Sequence, residues 1–322
     1  MTDLFAGSCI GPYVPADGSC ADVYNAYVDT GFVRNGIALT GLSTYAESFH
    51  HATATDFWFT GDLYIDSNFT TSEVNLLELY NSSDILVYKL TGTVSGSTTT
   101  FKQYTSSDGS AFTQRGSSFT GSVDTRHTIS IHLNTDGTGS AEVYVSGTRR
   151  LDYSGDLSAL TNVEYHRLRS IGYNVWSQCV CRNAVSTIGA RIAEFYPSGT
   201  GATDQWTGSY TAVDETNYSD ADFMWSDTAN QVEVMAGTLV GALTGYVISS
   251  VTVTARAKTD GSGPQNLQLA LRTASTNYFS SSIPLIAGYS ANVGVWETNP
   301  NTTLAWTSTD ASAIQFGVKS IA

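Results

Sequence analysis

Small or polar residues alternate with larger apolar ones along most of the chain. Residues 128–133 (TISIHL) and 140–145 (SAEVYV) are two such runs, and the turn-forming segment 134–139 (NTDGTG) separates them. A period of two places successive side chains on opposite faces of a β-strand, whereas an amphipathic helix needs a period of about 3.6 residues. No helical period persists beyond a turn or two, so the pattern predicts an all-β protein of antiparallel strands.

The alternation is interrupted once at length, at residues 196–202 (YPSGTGA), where turn-forming residues dominate. A chain of 322 residues is long enough for two ordinary domains. We therefore predict two antiparallel β-sandwich domains, at residues 28–197 and 198–322. Residues 1–27 look irregular and are predicted to form an N-terminal arm that docks on a neighbouring protein through Phe5 and Tyr13.

Composition narrows the choice of partners. Acidic residues number 29 against 15 Lys and Arg, which gives a net charge of −14. An acidic surface is unsuited to binding phosphates or anionic lipid, so we expect neither a nucleic-acid partner nor membrane insertion. The N-terminus lacks the basic start and apolar stretch of a signal peptide, so we expect synthesis in a cytoplasm without export.

The four cysteines offer little chemistry. Cys179 and Cys181 are two apart on a predicted strand, and Cys9 and Cys20 lie in the predicted arm. A structural zinc site needs two close pairs of ligands at characteristic spacing, which this set does not supply. Buried thiols and a Cys9–Cys20 disulfide are the readings we prefer.

The hairpin at 127–147 carries a resemblance to a known fold. The strands His127–Leu133 and Ala141–Gly147 are similar to the pair of strands that marks concanavalin A-like, laminin G-type sandwiches. The resemblance covers about residues 30–195 and implies a jelly-roll scaffold for the first domain. Members of that superfamily are often glycan-binding or adhesive modules, so it also implies a carbohydrate partner.

The C-terminal segment resembles another group of proteins. Residues 299–307 (NPNTTLAWT) and 315–319 (QFGVK) are similar to the end of structural proteins from tailed bacteriophages and phage-like gene transfer agents. This resemblance covers about residues 204–322 and implies a role in virion structure rather than catalysis. Independently of it, Pro300 favours an extended turn and Trp306 is predicted to close one end of the second sandwich.

Catalytic and metal-binding patterns are weak in this sequence. Asp62 and Glu78 stand alone on their strands, the hydrolase pattern E-x-D-x-x-E is absent, and no G-x-S-x-G nucleophile elbow occurs. Cross-strand pairing remains a way to bring two acids together. The oxygen-rich segment 134–139 resembles a calcium loop, but a hairpin turn needs the same residues. We predict no catalytic, metal or cofactor residues, and no enzymatic activity.

Aromatic side chains near predicted loops are the candidates for ligand contact, since sugar rings stack on exposed Tyr and Trp. We name four of them: Tyr104, Tyr165, Tyr173 and Trp176. The predicted function is a fibre, spike or tail-tip protein of a virion, bound to other virion proteins and to host-surface polysaccharide. By analogy with fibres we expect a homo-oligomer, a trimer. The alternatives are a capsid decoration or tail-assembly protein without a ligand, and a capsule-degrading glycosidase.

Overall fold

The computed structural model describes residues 2–7, 13–15, 20–24, 33, 35–41, 44–48, 50–67, 72–169, 172–215 and 219–322. These residues form antiparallel β-sheets with three short helical turns, so the all-β prediction is confirmed. Residue contacts divide the chain into two compact units, and the division in sequence falls between Ile192 and Ala193. No helix among the described residues has the length and apolarity needed to cross a membrane.

The first unit consists of two large antiparallel sheets. It contains β1 (Thr2–Gly7), β2 (Tyr13–Pro15), β3 (Cys20–Tyr24), β4 (Asn35–Gly41), β5 (Tyr45–Ser48), β6 (Asp56–Ile65), β7 (Val74–Tyr80), β8 (Leu86–Ser95), β9 (Thr98–Thr105), β10 (Thr113–Gln114), β11 (Phe119–Ser122), β12 (Arg126–Asn134), β13 (Ser140–Val145), β14 (Thr148–Ser154), the 3-10 turn Ser158–Leu160, β15 (Tyr165–Arg169) and β16 (Gly172–Asn183). Sheet A has the order β14-β13-β12-β6-β16-β4-β3, with β1 also paired to β16. Sheet B has the order β10-β9-β8-β7-β15-β5-β2, with β11 paired to β9.

One apolar core fills the space between the two sheets. Strand β6 contributes Phe57, Phe59, Leu63 and Ile65, which alternate with more polar residues as the pattern predicted. Gly61 interrupts this series for a steric reason. A Cβ at Gly61 would lie 3.1 Å from the Trp176 ring, so the bare backbone there leaves room for a large buried side chain.

The prediction of an irregular N-terminal arm is wrong for the segments that the structure describes. Strand β1 pairs with β16, β2 pairs with β5, and β3 pairs with β4, all antiparallel. Glycines and prolines lie between these short strands and made the segment look irregular in the sequence. Each strand is extended because it pairs with another strand of the sandwich, which local sequence does not reveal. The segments therefore extend both sheets of the sandwich.

The second unit is a smaller sandwich. It contains β17 (Phe195–Asp204), the 3-10 turn Tyr210–Ala212, β18 (Val232–Leu239), β19 (Val251–Ala257), β20 (Asn266–Thr273), β21 (Thr276–Phe279), β22 (Ile283–Pro284), β23 (Ser290–Trp296), α1 (Ser308–Ser312) and β24 (Gln315–Ile321). A six-stranded sheet has the order β17-β18-β24-β20-β21 with β22 on β20, and β19 pairs with β23. Trp306 lies in its core, and the indole Nε1 donates to the carbonyl of Trp296 at 2.8 Å.

Residues 196–202 lie inside β17 and are not the loop that their composition predicted. Among the described strands, β17 pairs only with β18, and it is bulged at two places, between Pro197 and Gly199 and between Thr200 and Thr203. Edge strands tolerate proline, glycine and bulges, so turn-forming residues do not exclude a strand there. That each unit folds as an independent domain stays a prediction.

Candidate functional site

The four predicted aromatic contacts fall in different environments. Trp176 is 0% exposed and lies in the core, edge-on to Phe59, so it cannot present a ring face to a sugar and that prediction is wrong. Tyr165 is only 2% exposed, and its ring is stacked on Tyr80 at 4.7 Å and on His50 at 4.4 Å. Its two faces are therefore covered by protein, and it does not serve as a stacking platform.

Tyr104 and Tyr173 are partly exposed and stay predictions. Tyr104 is on β9 of sheet B, on the face that points away from the core, and Tyr173 is on β16 of sheet A. The predicted Cys9–Cys20 disulfide lies outside what the structure describes. Cys179 and Cys181 are buried thiols of the core, in agreement with the preferred reading.

The outer face of sheet B carries a row of charged and aromatic side chains. The strand registers align Glu47 with Arg167, Arg167 with Glu78, Glu78 with Lys89, and Lys89 with Tyr104. Because side chains alternate between faces, residues two positions away on these strands share the surface. We call this surface the Arg167 face; its members are Tyr45, Glu47, Glu78, Tyr80, Lys89, Lys102, Tyr104, Arg167 and Arg169.

Arg167 is held rigidly on this face. Its Nε contacts Glu47 Oε2 at 2.5 Å, and its Nη1 donates to the Tyr80 hydroxyl at 2.9 Å. The guanidinium carbon lies 4.6 Å from the centroid of the Tyr45 ring and 4.4 Å from that of Tyr80. A planar cation packed against two rings is pre-organised to bind a carboxylate or sulfate with little further loss of entropy.

Glu78 is the buried carboxylate of the Arg167 face. It accepts hydrogen bonds from Asn75 at 2.6 Å and from the Tyr80 hydroxyl at 2.9 Å, and Arg169 Nε lies 3.4 Å from Oε1. Burial, and secondly the Glu78 charge, raise the pKa of Tyr80 above its ordinary value. Tyr80 therefore remains a protonated hydroxyl, suited to positioning Arg167 rather than to accepting a proton.

The cations of the face remain accessible to a ligand. The side chains of Arg167 and Arg169 are 25% and 26% exposed. Lys89 has no ion pair among the described residues, and its Nζ lies 4.2 Å from the Phe112 ring centroid and 5.3 Å from that of Tyr104. Lys102 pairs with Glu73 at 2.6 Å. The face thus combines fixed cations with aromatic rings.

The sequence reasoning missed these cations, although a signal was present. In Tyr165–Arg169 every second residue is Tyr or Arg, and the residues between are His and Leu. On a strand this pattern places both arginines on the solvent side. The burial pattern agrees, because Leu168 lies in the core and Arg167 and Arg169 are partly exposed.

The structure also brings two acids close together, which was the condition named for a hydrolase. On the outer face of sheet A, Asp56 and Glu142 lie on either side of His132, each 2.8 Å from one ring nitrogen. The imidazole fills the gap between the two carboxylates, where a hydrolase would need room for the scissile bond. Among the described residues no group of three or more His, Cys, Asp or Glu is arranged to hold a metal ion.

No protein-family model matches the chain, and no curated protein matches it. Solved structures are similar to part of the chain. An alginate lyase from Pseudomonas aeruginosa is 10% identical (TM-score 0.40; 56% of this chain, 98% of that chain). A carbohydrate-binding module from Bacillus subtilis is 11% identical (TM-score 0.37; 54% and 96%). An endo-β-1,4-glucuronan lyase from Trichoderma reesei is 9% identical (TM-score 0.39; 57% and 96%).

The TM-scores of these neighbours lie between 0.37 and 0.40, so the concanavalin A-like type of the first domain stays a prediction. The neighbours bind or act on carbohydrates by name, and two of them are lyases. The expectation that the chain is not an enzyme is not upheld, because the solved structures similar to it include polysaccharide lyases. None of these three neighbours is a virion protein, and a likeness at this identity and TM-score assigns no function to the chain.

Proposed function

We propose that the chain is a glycan-binding protein and that its first unit binds an acidic polysaccharide across the Arg167 face. The observation that carries the proposal is the fixed Arg167 guanidinium, with Arg169 and Lys89 beside it on one sheet surface. Carboxylates of a polysaccharide would pair with these cations, and sugar rings would contact the exposed parts of Tyr45 and Tyr104.

Charge distribution supports an acidic ligand. The chain as a whole carries −14, yet this face holds four cations, namely Lys89, Lys102, Arg167 and Arg169. The carboxylates of the face are already paired: Glu78 is buried and bonded to Asn75 and Tyr80, and Glu47 is paired with Arg167. A polyanion would therefore approach this face against less repulsion than elsewhere on an acidic protein.

The proposal is tested by affinity measurements with immobilised polyuronate, such as alginate or polygalacturonate. We expect the double variant Lys89→Gln/Arg169→Gln to bind at least about tenfold more weakly, because charge-assisted contacts contribute about 1.5–3 kcal/mol each. Binding should also weaken strongly as salt rises towards about 1 M, where charges are screened beyond about 3 Å. Product release is followed in the same samples, so that cleavage of the polymer is detected if it occurs.

Lys258→Gln is the matched control, since Lys258 Nζ also lies over a tyrosine ring, 4.5 Å from the centroid of Tyr289 in the second unit. It should bind polyuronate like the unchanged protein. Equal loss in both variants would indicate a non-specific charge effect. Unchanged affinity in the double variant would show that the Arg167 face is not the binding surface.

We further propose that the protein acts at the surface of a virion, as a fibre, spike or tail-tip component that oligomerises. Support comes from the similarity of residues 299–307 and 315–319 to the ends of phage structural proteins. A mass-spectrometric inventory of purified particles tests virion membership, and sedimentation of the purified chain tests the expected trimer. Absence from the particles would end this part of the proposal and leave glycan binding untouched.

A purely structural role is the alternative for a virion protein. A decoration or tail-assembly protein would be present in particles but would bind no polysaccharide in the affinity measurements. The two readings are thus separated by combining the inventory with the binding data.

A further inference from the structure

We propose a second carbohydrate site on the opposite side of the first unit, for an uncharged, hydroxyl-rich sugar. It lies on the outer face of sheet A, where the strand registers align Arg182 with Trp58, Trp58 with His132, His132 with Glu142, and Glu142 with Asp152. We call these five residues the Trp58 row.

The centre of the row is an ordered aromatic cluster. The rings of Trp58 and His132 are stacked, with centroids 4.1 Å apart and planes 10° apart, and Tyr144 lies 6.1 Å from Trp58. Asp56 Oδ1 and Glu142 Oε2 each lie 2.8 Å from one ring nitrogen of His132 and so fix the orientation of the ring. A sugar would meet a surface that does not need to rearrange.

Hydrogen-bonding groups for a ligand remain at this cluster. The Trp58 indole N–H has no hydrogen-bond partner among the described residues. It is not buried, so it can donate to a ligand from solvent. The carboxylate of Asp56 uses one oxygen for His132, and its side chain is 30% exposed. The Tyr144 hydroxyl donates to Glu142 at 3.1 Å and can still accept. A donor, a carboxylate acceptor and a hydroxyl beside aromatic rings match the neighbouring hydroxyls and apolar ring face of a sugar.

Charge balance selects an uncharged ligand here. The acids Asp56, Glu142 and Asp152 are opposed by Arg149, which contacts Glu142 at 2.8 Å and Asp152 at 3.3 Å, and by Arg182 in the same row. Most of these charges neutralise one another within the surface. A polyanion therefore gains little at the Trp58 row, in contrast to the Arg167 face.

The two sites are separate because the apolar core lies between sheets A and B. One copy of the first unit could therefore hold an acidic polysaccharide on sheet B and a neutral glycan on sheet A at the same time. This inference stands independently of the acidic-glycan proposal, because it uses other residues and another class of ligand.

The test uses the full chain on an array of neutral oligosaccharides of the cello-, malto- and manno- series, followed by titration calorimetry with the best binder. Trp58→Ala and Asp56→Asn should each weaken neutral-sugar binding by about tenfold or more and leave polyuronate binding unchanged. Trp225→Ala, at an exposed tryptophan of the second unit, should have no effect, and Lys89→Gln/Arg169→Gln should keep the neutral ligand.

Asp56→Asn preserves the shape of its side chain, so its result stands even if Trp58→Ala disturbs the sheet; circular dichroism monitors the fold of both. Absence of any neutral binder on the array would overturn the inference. So would a neutral binder whose affinity is the same in Trp58→Ala and Asp56→Asn as in the unchanged protein.

Discussion

Replacing Trp176 by alanine is expected to lower the free energy of unfolding by about 3–5 kcal/mol. The side chain is completely buried, contacts Phe59 edge-on at a centroid distance of 5.8 Å, and fills the space left by Gly61. Alanine would leave a cavity between two sheets that cannot collapse without moving β6 or β16. Denaturant unfolding monitored by circular dichroism measures the change.

Two companion variants make this result specific. Trp225→Ala removes a tryptophan that is 47% exposed and should change stability by no more than about 0.5 kcal/mol. Trp176→Phe should cost less than alanine, because it keeps most of the volume and removes a buried indole N–H that lacks a partner among the described residues. A stable Trp176→Ala protein that had lost sugar binding would instead restore the original interpretation of Trp176 as a ligand contact.

Acid is expected to destabilise the first unit well above the pH at which its carboxylates protonate. Burial lowers the pKa of His51 from 6.5 to about 4, and burial lowers the pKa of His166 well below 6.5. Both rings are neutral when folded, whereas in the unfolded chain they bind protons near pH 6.5. The unfolding free energy should therefore fall as the pH drops below 6.5, by about 3 kcal/mol for His51 by pH 4.

The destabilisation by the two histidines occurs in a higher pH range than the protonation of the carboxylates, so the two effects can be measured separately. Among the carboxyl groups, Glu73 and Glu142 have pKa values lowered below 4.5, because the hydrogen bonds they accept outweigh the effect of burial. The stability that Glu73 and Glu142 contribute is lost only as the pH falls through these lowered pKa values. Thermal unfolding of His51→Leu and His166→Leu from pH 7 to 4.5 should show a flatter dependence than the unchanged protein. His50→Gln, at an exposed ring, is the control, and identical slopes in all four proteins would contradict the account.

The sequence was most informative for strands in which apolar residues, facing the core, alternate with polar ones. The hairpin at 128–145 was predicted from the pattern and lies at β12 and β13 in the structure. In these segments the core residues are large and apolar, so local alternation reflects the tertiary environment directly. The N-terminal strands and β17 were missed because their pairing partners, rather than their own residues, determine that they are extended.

The site was harder to predict because it is assembled by register across strands. Glu47, Glu78, Lys89 and Arg167 are far apart in the chain, and only the order β5-β15-β7-β8 brings them into one row. For an aromatic residue near a predicted loop, the sequence also does not indicate whether its side chain lies on the core face or the solvent face of the sheet. That is why Trp176 and Tyr104 looked equivalent in the sequence, although one lies in the core and the other beside Lys89.

The central claim, that the first unit binds an acidic polysaccharide through the outer face of sheet B, is tested most directly by NMR. Isotope-labelled protein is titrated with an acidic oligosaccharide, and the amide shifts are mapped on the chain. The account predicts changes concentrated on β5, β15, β7, β8 and β9, around Arg167, Arg169, Lys89 and Tyr104. Saturable changes confined to other strands, or no changes at all, would contradict it.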